Sequence, residues 1–173
     1  YALKAEKLNP GSGEVSGILG IINVMEFNFK NSVPYFEKSL EKSPNFSLAY
    51  HWYSFVMQLL GDFDRAEQLQ IKAGVFDPLN SFNDYFLILN YIYQKKFKKA
   101  AELIDAKLSL DPENTEMLWV KAVLLVEMNR YQEAHEVLLK RKFGLETNFI
   151  SGYVFARIGQ KDQAMVVLEN MQS

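Results

Sequence analysis

The chain has 173 residues, of which 49% are apolar and 23% charged, and this composition excludes a wholly disordered chain. The formal net charge of -2 gives no electrostatic reason to expect a nucleic-acid backbone as partner. The lack of cysteine excludes disulfides and thiolate metal sites, and no apolar stretch in the sequence is long enough to span a bilayer as a helix.

Four of the five prolines recur at a fixed spacing of 34 residues, and two other residue classes keep the same spacing. The three series are Pro10, Pro44, Pro78 and Pro112; Phe29, Phe63, Phe97 and Tyr131; and Ser32, Ala66, Ala100 and Ala134. Because proline cannot continue a helix, each proline marks the end of one helical pair and the start of the next. The small residues predict close approach of two helices, and the aromatic residues predict a filled turn. A period of this length predicts a repeat architecture.

In chain order, the period predicts the tail of a preceding repeat helix at 1–12 and then a single solenoid at 13–173. Its five helix–turn–helix repeats are 13–46, 47–80, 81–114, 115–144 and 145–173. The last repeat follows at a spacing of only 30, so we expect about four residues to be missing near Lys142, Phe143 and Gly144. Since one hairpin buries only one face, the repeats must stack on their neighbours.

Two local features carry predictions of their own. Gly61 and Asn129 stand two periods apart at the ends of first helices, where a left-handed cap is common. Phe27 and Lys95 occupy the equivalent places, and there we expect no such cap. Pro34 is expected in the first turn of a helix that follows Asn31, where proline is tolerated.

The stretch from Leu60 to Glu67, followed by Phe76-Asp77-Pro78, resembles the tetratricopeptide repeat family. The resemblance extends over nearly the whole chain through the 34-residue period. It implies an all-α fold, a right-handed superhelix of stacked antiparallel helix–turn–helix repeats. It also implies a scaffold that binds a protein or peptide partner, needs no cofactor and catalyses nothing.

In this family the first helices line a concave groove, and here they carry aromatic and apolar residues in one register. The predicted peptide-binding residues are His51, Trp52, Phe55, Tyr85, Leu89, Tyr93, Trp119, Val123, Phe149 and Tyr153. An apolar groove favours an amphipathic helix or an extended apolar segment as ligand. Some family members hold a terminal carboxylate with basic residues of the first helices. Gly17, His51, Phe55 and Tyr85 stand at such places here, so we expect no binding of acidic-tail peptides.

The two histidines give no sign of a metal or catalytic site. His51 and His135 lie on different repeats and outside any metal-ligand spacing. We expect His135 to be solvated on a second helix. His51 either packs within the protein or contacts a ligand in the groove.

Other interpretations remain open at this stage. The stretch from Leu48 to Tyr53, running on to Asp77-Pro78-Leu79, loosely resembles repeat regions of bacterial transcription regulators or nucleotide cyclases. That resemblance implies a sensor or regulatory region of a larger bacterial signalling protein. Self-association through the apolar surface is a further possibility. The chain begins at Tyr1 inside a helical pattern, so we expect it to be part of a longer protein, located in the cytoplasm.

Overall fold

The computed structural model describes residues 4, 7, 9–140 and 149–172. Between Gly13 and Gln172 these residues form ten α-helices and no strand: α1 Gly13–Met25, α2 Phe29–Lys42, α3 Ser47–Leu59, α4 Phe63–Phe76, α5 Phe82–Tyr93, α6 Phe97–Leu110, α7 Thr115–Glu127, α8 Tyr131–Leu139, α9 Phe149–Arg157 and α10 Lys161–Gln172. The odd-numbered helices are the predicted first helices and the even-numbered ones the predicted second helices. The division into a 1–12 tail and one solenoid stays a prediction, and the junction near Lys142 and Gly144 lies outside the described residues.

The turn inside each helical pair has one conformation, repeated five times. Three residues join the two helices, and the middle one has a left-handed backbone: Phe27 (φ 60°), Gly61 (φ 83°), Lys95 (φ 57°), Asn129 (φ 59°) and Gly159 (φ 86°). The N–H of the following residue then bonds to the carbonyl five residues earlier, from Asn28 to Asn23 at 2.8 Å and from Lys96 to Tyr91 at 2.8 Å. This bond pattern is the Schellman cap, which satisfies carbonyls at the end of the first helix.

The prediction that Phe27 and Lys95 would not adopt the left-handed cap is therefore wrong. A left-handed conformation costs a residue with a side chain about 1–2 kcal/mol. The hydrogen bonds of the cap and the packing of both helices on either side offset that cost, so the turn geometry overrides the local preference.

Pro34 lies further inside its helix than predicted, because α2 begins at Phe29 rather than after Asn31. Proline is the sixth helical residue and has no N–H to donate to the carbonyl of Lys30. The early start follows from the shared turn, since Asn28 occupies the N-cap position in that turn.

The four members of the small-residue series, Ser32, Ala66, Ala100 and Ala134, are all fully buried. Their aromatic companions begin α2, α4, α6 and α8 and are half-buried rather than enclosed. In the first pair, a stripe of glycines on α1 allows a close approach of the helices. A Cβ atom at Gly20 would lie 2.8 Å from the ring of Phe36, and one at Gly17 would lie 2.8 Å from the ring of Phe46.

The chain divides into two compact units, Tyr1–Asn90 and Tyr91–Ser173, and the division falls within α5. In the first unit the buried core is centred on Phe36, Tyr53, Val56 and Leu69, with the rings of Phe36 and Tyr53 stacked at 5.7 Å. In the second unit Ile104, Val120, Ala122, Leu138 and Val154 are buried. Each unit thus has its own apolar core.

Candidate functional site

An apolar cavity of the first unit lies on first helices α3 and α5. We call it the aromatic groove. It has a volume of about 360 Å³ and is lined by Leu48, His51, Trp52, Phe55, Asn80, Phe82 and Phe86. None of these residues carries a formal charge apart from the titratable His51. The groove is therefore a surface for uncharged groups.

The rings of the groove meet edge to face, which is a favoured arrangement for aromatic pairs. The His51 and Phe86 ring centroids are 4.8 Å apart with planes at 87°, and those of Phe55 and Phe86 are 5.8 Å apart at 78°. Trp52 continues the series against Phe55 at 6.0 Å. Tyr85 extends it on α5, at 5.1 Å from Phe86. Each of these rings thus has at least one ring neighbour, and this organises the wall before any ligand arrives.

A polar layer beneath the rings orients His51. The His51 Nδ1 atom lies 3.4 Å from Gln70 Nε2, and the same amide donates to Asn83 Oδ1 at 2.9 Å. Asn83 Nδ2 in turn donates to the carbonyl of Asp77 at 2.8 Å. Which of the two atoms donates in the contact between His51 and Gln70 depends on the tautomer of the imidazole.

Burial lowers the pKa of His51 below its usual value, and a hydrogen bond with Asn83 offsets part of that effect. The imidazole is therefore neutral at pH 7, consistent with a groove wall that carries no charge. The predicted alternatives for His51 are not exclusive: its ring packs against Phe86 and also lines the groove.

The loop before α5 closes one end of the groove. Asn80 Oδ1 accepts from the N–H of Phe82 at 3.1 Å, and Asn80 Nδ2 donates to Asp77 Oδ2 at 3.3 Å. Phe82, the first residue of α5, is held more than half exposed at the rim.

The predicted site residues of the first unit differ in how much surface they present. His51, Trp52, Phe55 and Tyr85 are half-buried, whereas Leu89 is only 6% exposed and belongs to the core. The structure brings the first three together in the aromatic groove. Their binding role stays a prediction.

The predicted residues of the second unit also differ in exposure. Tyr93, Phe149 and Tyr153 are exposed, Trp119 is half-buried, and Val123 is buried. Tyr153 lies 6.0 Å from the ring of Tyr131, and the Arg157 guanidinium lies over both rings.

His135 is not solvated as predicted. It is half-buried, its ring lies 5.5 Å from that of Phe155, and its Nδ1 atom is buried without a hydrogen-bond partner in the described part of the chain. The prediction failed because α9 packs over the face of α8 that carries His135.

The predicted site residues did not include Leu48, Asn80, Phe82 and Phe86 of the groove, nor the polar pair Gln70 and Asn83 beneath it. Leu48 precedes His51 by one helical turn on α3, so helical spacing could have identified it. No sequence signal marked Gln70 and Asn83, because their pairing depends on how α4 and α5 pack together.

A second cavity, of about 480 Å³, lies in the second unit between α6, α7 and α8. Several charged residues line it, and four of them form two ion pairs. Lys121 Nζ donates to Asp105 Oδ1 at 2.8 Å, and Arg130 forms an ion pair with Glu133. Because these four charges are already paired, this cavity is a weaker candidate site.

Two further searches of the described residues gave no candidate. No group of three or more His, Asp or Glu residues in those parts of the chain could hold a metal ion. None of the described helices has the length and apolar character needed to cross a membrane.

Comparisons with known proteins agree on the repeat type. Two family models described as tetratricopeptide repeat match residues 35–68 and 91–141. No curated protein sequence matches the chain significantly.

Solved structures resemble the chain in fold. YrrB, described as a tetratricopeptide repeat protein with an unusual peptide-binding site, is 16% identical with a TM-score of 0.66, over 98% of this chain and 90% of that one. A thermophilic tetratricopeptide repeat protein of Thermus thermophilus is 12% identical with a TM-score of 0.77, over 93% of this chain and 91% of that one. A chain of the Cut9–Hcn1 complex of APC/C is 17% identical with a TM-score of 0.78, over 98% of this chain but 35% of that one. Identities this low establish the fold alone.

Proposed function

This chain belongs to the tetratricopeptide repeat family, and we propose that it is a non-catalytic scaffold that binds an apolar or amphipathic segment of another polypeptide in the aromatic groove. Tetratricopeptide repeats indicate protein partners, and the all-α solenoid of this family presents first helices as a binding surface. The observation that carries the proposal is the set of partly exposed rings on α3 and α5, grouped around a cavity that no Asp, Glu, Lys or Arg side chain lines.

The physical reason is that binding releases water from large apolar surfaces. The rings lose little conformational entropy in the process, because they are already held rigid. Trp52, Phe55 and Phe86 already hold each other in place, so binding does not have to order them. Aromatic residues in such positions commonly dominate the binding energy of an interface. A volume of about 360 Å³ suits a few anchoring side chains of a helix or an extended segment.

The ligand class follows from the lining. A neutral groove offers nothing to compensate the loss of hydration of a carboxylate or ammonium group, so charged side chains are excluded from its floor. YrrB, which resembles the chain in fold, is described as having a peptide-binding site, so a peptide ligand is compatible with this fold. In the second unit, the exposed rings of Phe149 and Tyr153 are proposed as further ligand contacts.

The test begins with peptides selected from a random display library against the whole chain, each then titrated by calorimetry. We expect the selected peptides to share two or three apolar anchors. Trp52→Ala and Phe82→Ala should weaken their binding tenfold or more, which corresponds to about 1.4 kcal/mol. Leu110→Ala is the matched control, because Leu110 is 85% exposed and does not line the groove.

Phe82 is the cleaner variant, since its ring is already more than half exposed and its removal leaves the core intact. Circular dichroism confirms that each variant folds. Selection of acidic peptides, or unchanged affinity in both groove variants, would refute the assignment.

A further inference from the structure

The second cavity lies where the two units of the chain carry different residues at the same places of the repeat. Two 34-residue periods separate each residue of the first unit from its equivalent in the second. Three residues that line this cavity, one each from α6, α7 and the start of α8, are the equivalents of Glu37, Tyr53 and Arg65; they are Asp105, Lys121 and Glu133. The first unit therefore shows how this place can be filled.

In the first unit, Arg65 joins α4 to α2. Its Nη2 atom donates to Glu37 Oε1 at 2.9 Å, and its guanidinium carbon lies 4.9 Å from the centroid of the Tyr53 ring. The Tyr53 hydroxyl donates to the same carboxylate oxygen at 2.9 Å, and the ring stacks on Phe36 at 5.7 Å. A guanidinium and an aromatic ring thus occupy the space beside this carboxylate.

In the second unit, no described side chain makes this connection. Glu133 bonds to its neighbour Arg130, whose Nε donates to Glu133 Oε1 at 2.6 Å, instead of reaching α6. Asp105 accepts from Lys121 at 2.8 Å and has no bond to α8 in the described part of the chain. Ile104 stands at the place of Phe36, so the buried side chain there is smaller as well. The cavity of about 480 Å³ corresponds to the space that larger side chains fill in the first unit.

The lining of the cavity suits an apolar stem that ends in a cation. Ile104, Leu124 and Val137 are buried and form an apolar floor. The carboxylates of Asp105 and Glu136 stand on the walls formed by α6 and α8. An apolar floor with a few polar groups above it is the usual form of a binding site of this volume.

Basic residues line the cavity as well, but most of them already have a carboxylate partner. Lys121 and Arg130 are bonded as described, and Lys98 Nζ lies 3.9 Å from Glu102 Oε1. Glu136 and Lys140, one helical turn apart at the end of α8, form no ion pair within residues 9–140 and 149–172. The first unit decides between a cation and an anion, because it places a guanidinium beside the equivalent carboxylate.

We propose that the second cavity binds an arginine side chain of another polypeptide, in the place that Arg65 has in the first unit. The aliphatic stem of the arginine packs on the apolar floor, as the stems of long basic side chains commonly do. Its planar guanidinium donates to the carboxylate of Asp105 and keeps further donors for the α8 wall, which carries Glu136. These carboxylates offset the loss of hydration that excludes a cation from the aromatic groove.

A polypeptide is the source of the arginine because tetratricopeptide repeats indicate protein partners. The site is a charged anchor in the second unit, separate from the aromatic groove, and it does not depend on the proposed function.

The experiment compares three short blocked peptides that differ only in their central residue. That residue is arginine, its uncharged isostere citrulline, or glutamate, and alanines flank it. Each peptide is titrated into the isotope-labelled whole chain, and the amide chemical shifts are followed by nuclear magnetic resonance, which detects weak binding. We expect the arginine peptide to cause saturable shifts at amides of α6, α7 and α8, and the other two peptides to bind at least tenfold more weakly.

On the protein side, Asp105→Asn should weaken binding of the arginine peptide tenfold or more. Glu41→Gln is the matched control, because Glu41 is an exposed carboxylate of α2 that pairs with Lys42 and does not line the cavity. The double variant Lys121→Tyr, Glu133→Arg copies the residues of the first unit into the second. It should also lose the binding, because the chain then supplies its own arginine to Asp105. Thermal unfolding verifies that each variant folds.

Phe82→Ala should leave binding of the arginine peptide unchanged, which separates this result from a failure of the proposed function. Absence of saturable shifts, equal binding of the citrulline peptide, or unchanged binding to Asp105→Asn would overturn the proposal. Tighter binding of the glutamate peptide would overturn it as well, and would assign the cavity to an anion held by Lys98 and Lys140.

Discussion

Two glycines of the first unit offer a direct measure of how tightly its helices pack. Gly20 is inside α1 and Gly74 is inside α4, and alanine at either position should remove the intrinsic helix penalty of glycine, about 1 kcal/mol. At Gly74 the nearest atom to an added Cβ is Asn83 Cβ at 3.9 Å, an ordinary contact. Gly74→Ala should therefore stabilise the protein, by about 0.5–1 kcal/mol because the position is in the last helical turn.

At Gly20 the same methyl group would lie 2.8 Å from Phe36 Cε1 and 3.0 Å from two further atoms of that ring. The ring cannot retreat, because Phe36 is fully buried and stacked on Tyr53, whose hydroxyl donates to Glu37 at 2.9 Å. Inserting a methyl group into such a core costs about 1–3 kcal/mol, which equals or exceeds the gain in helix propensity. Gly20→Ala should thus lie about 1–3 kcal/mol below Gly74→Ala in the free energy of unfolding.

Urea unfolding followed by circular dichroism measures both variants in the same buffer. In a chain of this size each kcal/mol also shifts the melting temperature by roughly 2–4 °C. Adding Phe36→Leu to Gly20→Ala should recover part of the loss, because the smaller side chain makes room for the methyl group, and a double-mutant cycle isolates that coupling. Gly20→Ala that stabilises the protein as much as Gly74→Ala would refute the close-packing argument.

Three further predictions follow from the caps, the core and the buried histidine. Lys95→Gly should stabilise the protein by up to about 1 kcal/mol, because glycine adopts the left-handed conformation without strain. Gly61→Ala should destabilise the protein by about 1–2 kcal/mol through backbone strain alone, because an added Cβ atom would meet nothing within 4 Å. Thermal unfolding of both variants measures these changes. Leu138→Ala should lower the free energy of unfolding by about 2–5 kcal/mol, because Leu138 is buried, and Leu168→Ala should lower it much less, because Leu168 is exposed. Urea unfolding measures both variants, and equal losses would contradict this reasoning. Because burial lowers the pKa of His51, the unfolded chain takes up its proton first, so His51 destabilises the fold as the pH falls from about 6.5 towards its lowered pKa. His51→Gln should reduce the change in the free energy of unfolding between pH 7.5 and 5.5, and His135→Gln serves as the comparison. An unchanged slope in His51→Gln would count against a neutral buried imidazole.

The 34-residue period predicted the architecture because the repeat is encoded redundantly. Proline, the turn aromatic and the small residue each mark the same unit, so any one of them can fail without loss of the pattern. The last hairpin illustrates this: it has Lys161 where the aromatic should be, yet Gly159 still adopts the left-handed turn. The predicted helix type and order therefore agree with the ten described helices.

The local errors share one cause. Phe27, Lys95 and Pro34 were judged by their intrinsic preferences, and the packing of the whole hairpin overrode all three. A preference of one or two kcal/mol at a single residue is small beside the contacts of two helices, so sequence propensity is a weak guide at such positions. The error at His135 was of the same kind, since its surroundings are set by α9.

The site was predicted less completely than the fold, because a groove depends on side-chain size at fixed positions of the repeat. Phe55, Leu89, Val123 and Tyr153 occupy one such position. The aliphatic pair Leu89 and Val123 is buried, whereas the rings of Phe55 and Tyr153 reach beyond the core and remain partly exposed. The backbone position is therefore not what makes a residue available to a ligand. Substituting one aromatic for one aliphatic residue on an unchanged backbone converts core into binding surface, so on this reasoning the ligand preference of such a repeat can change without any change in its fold.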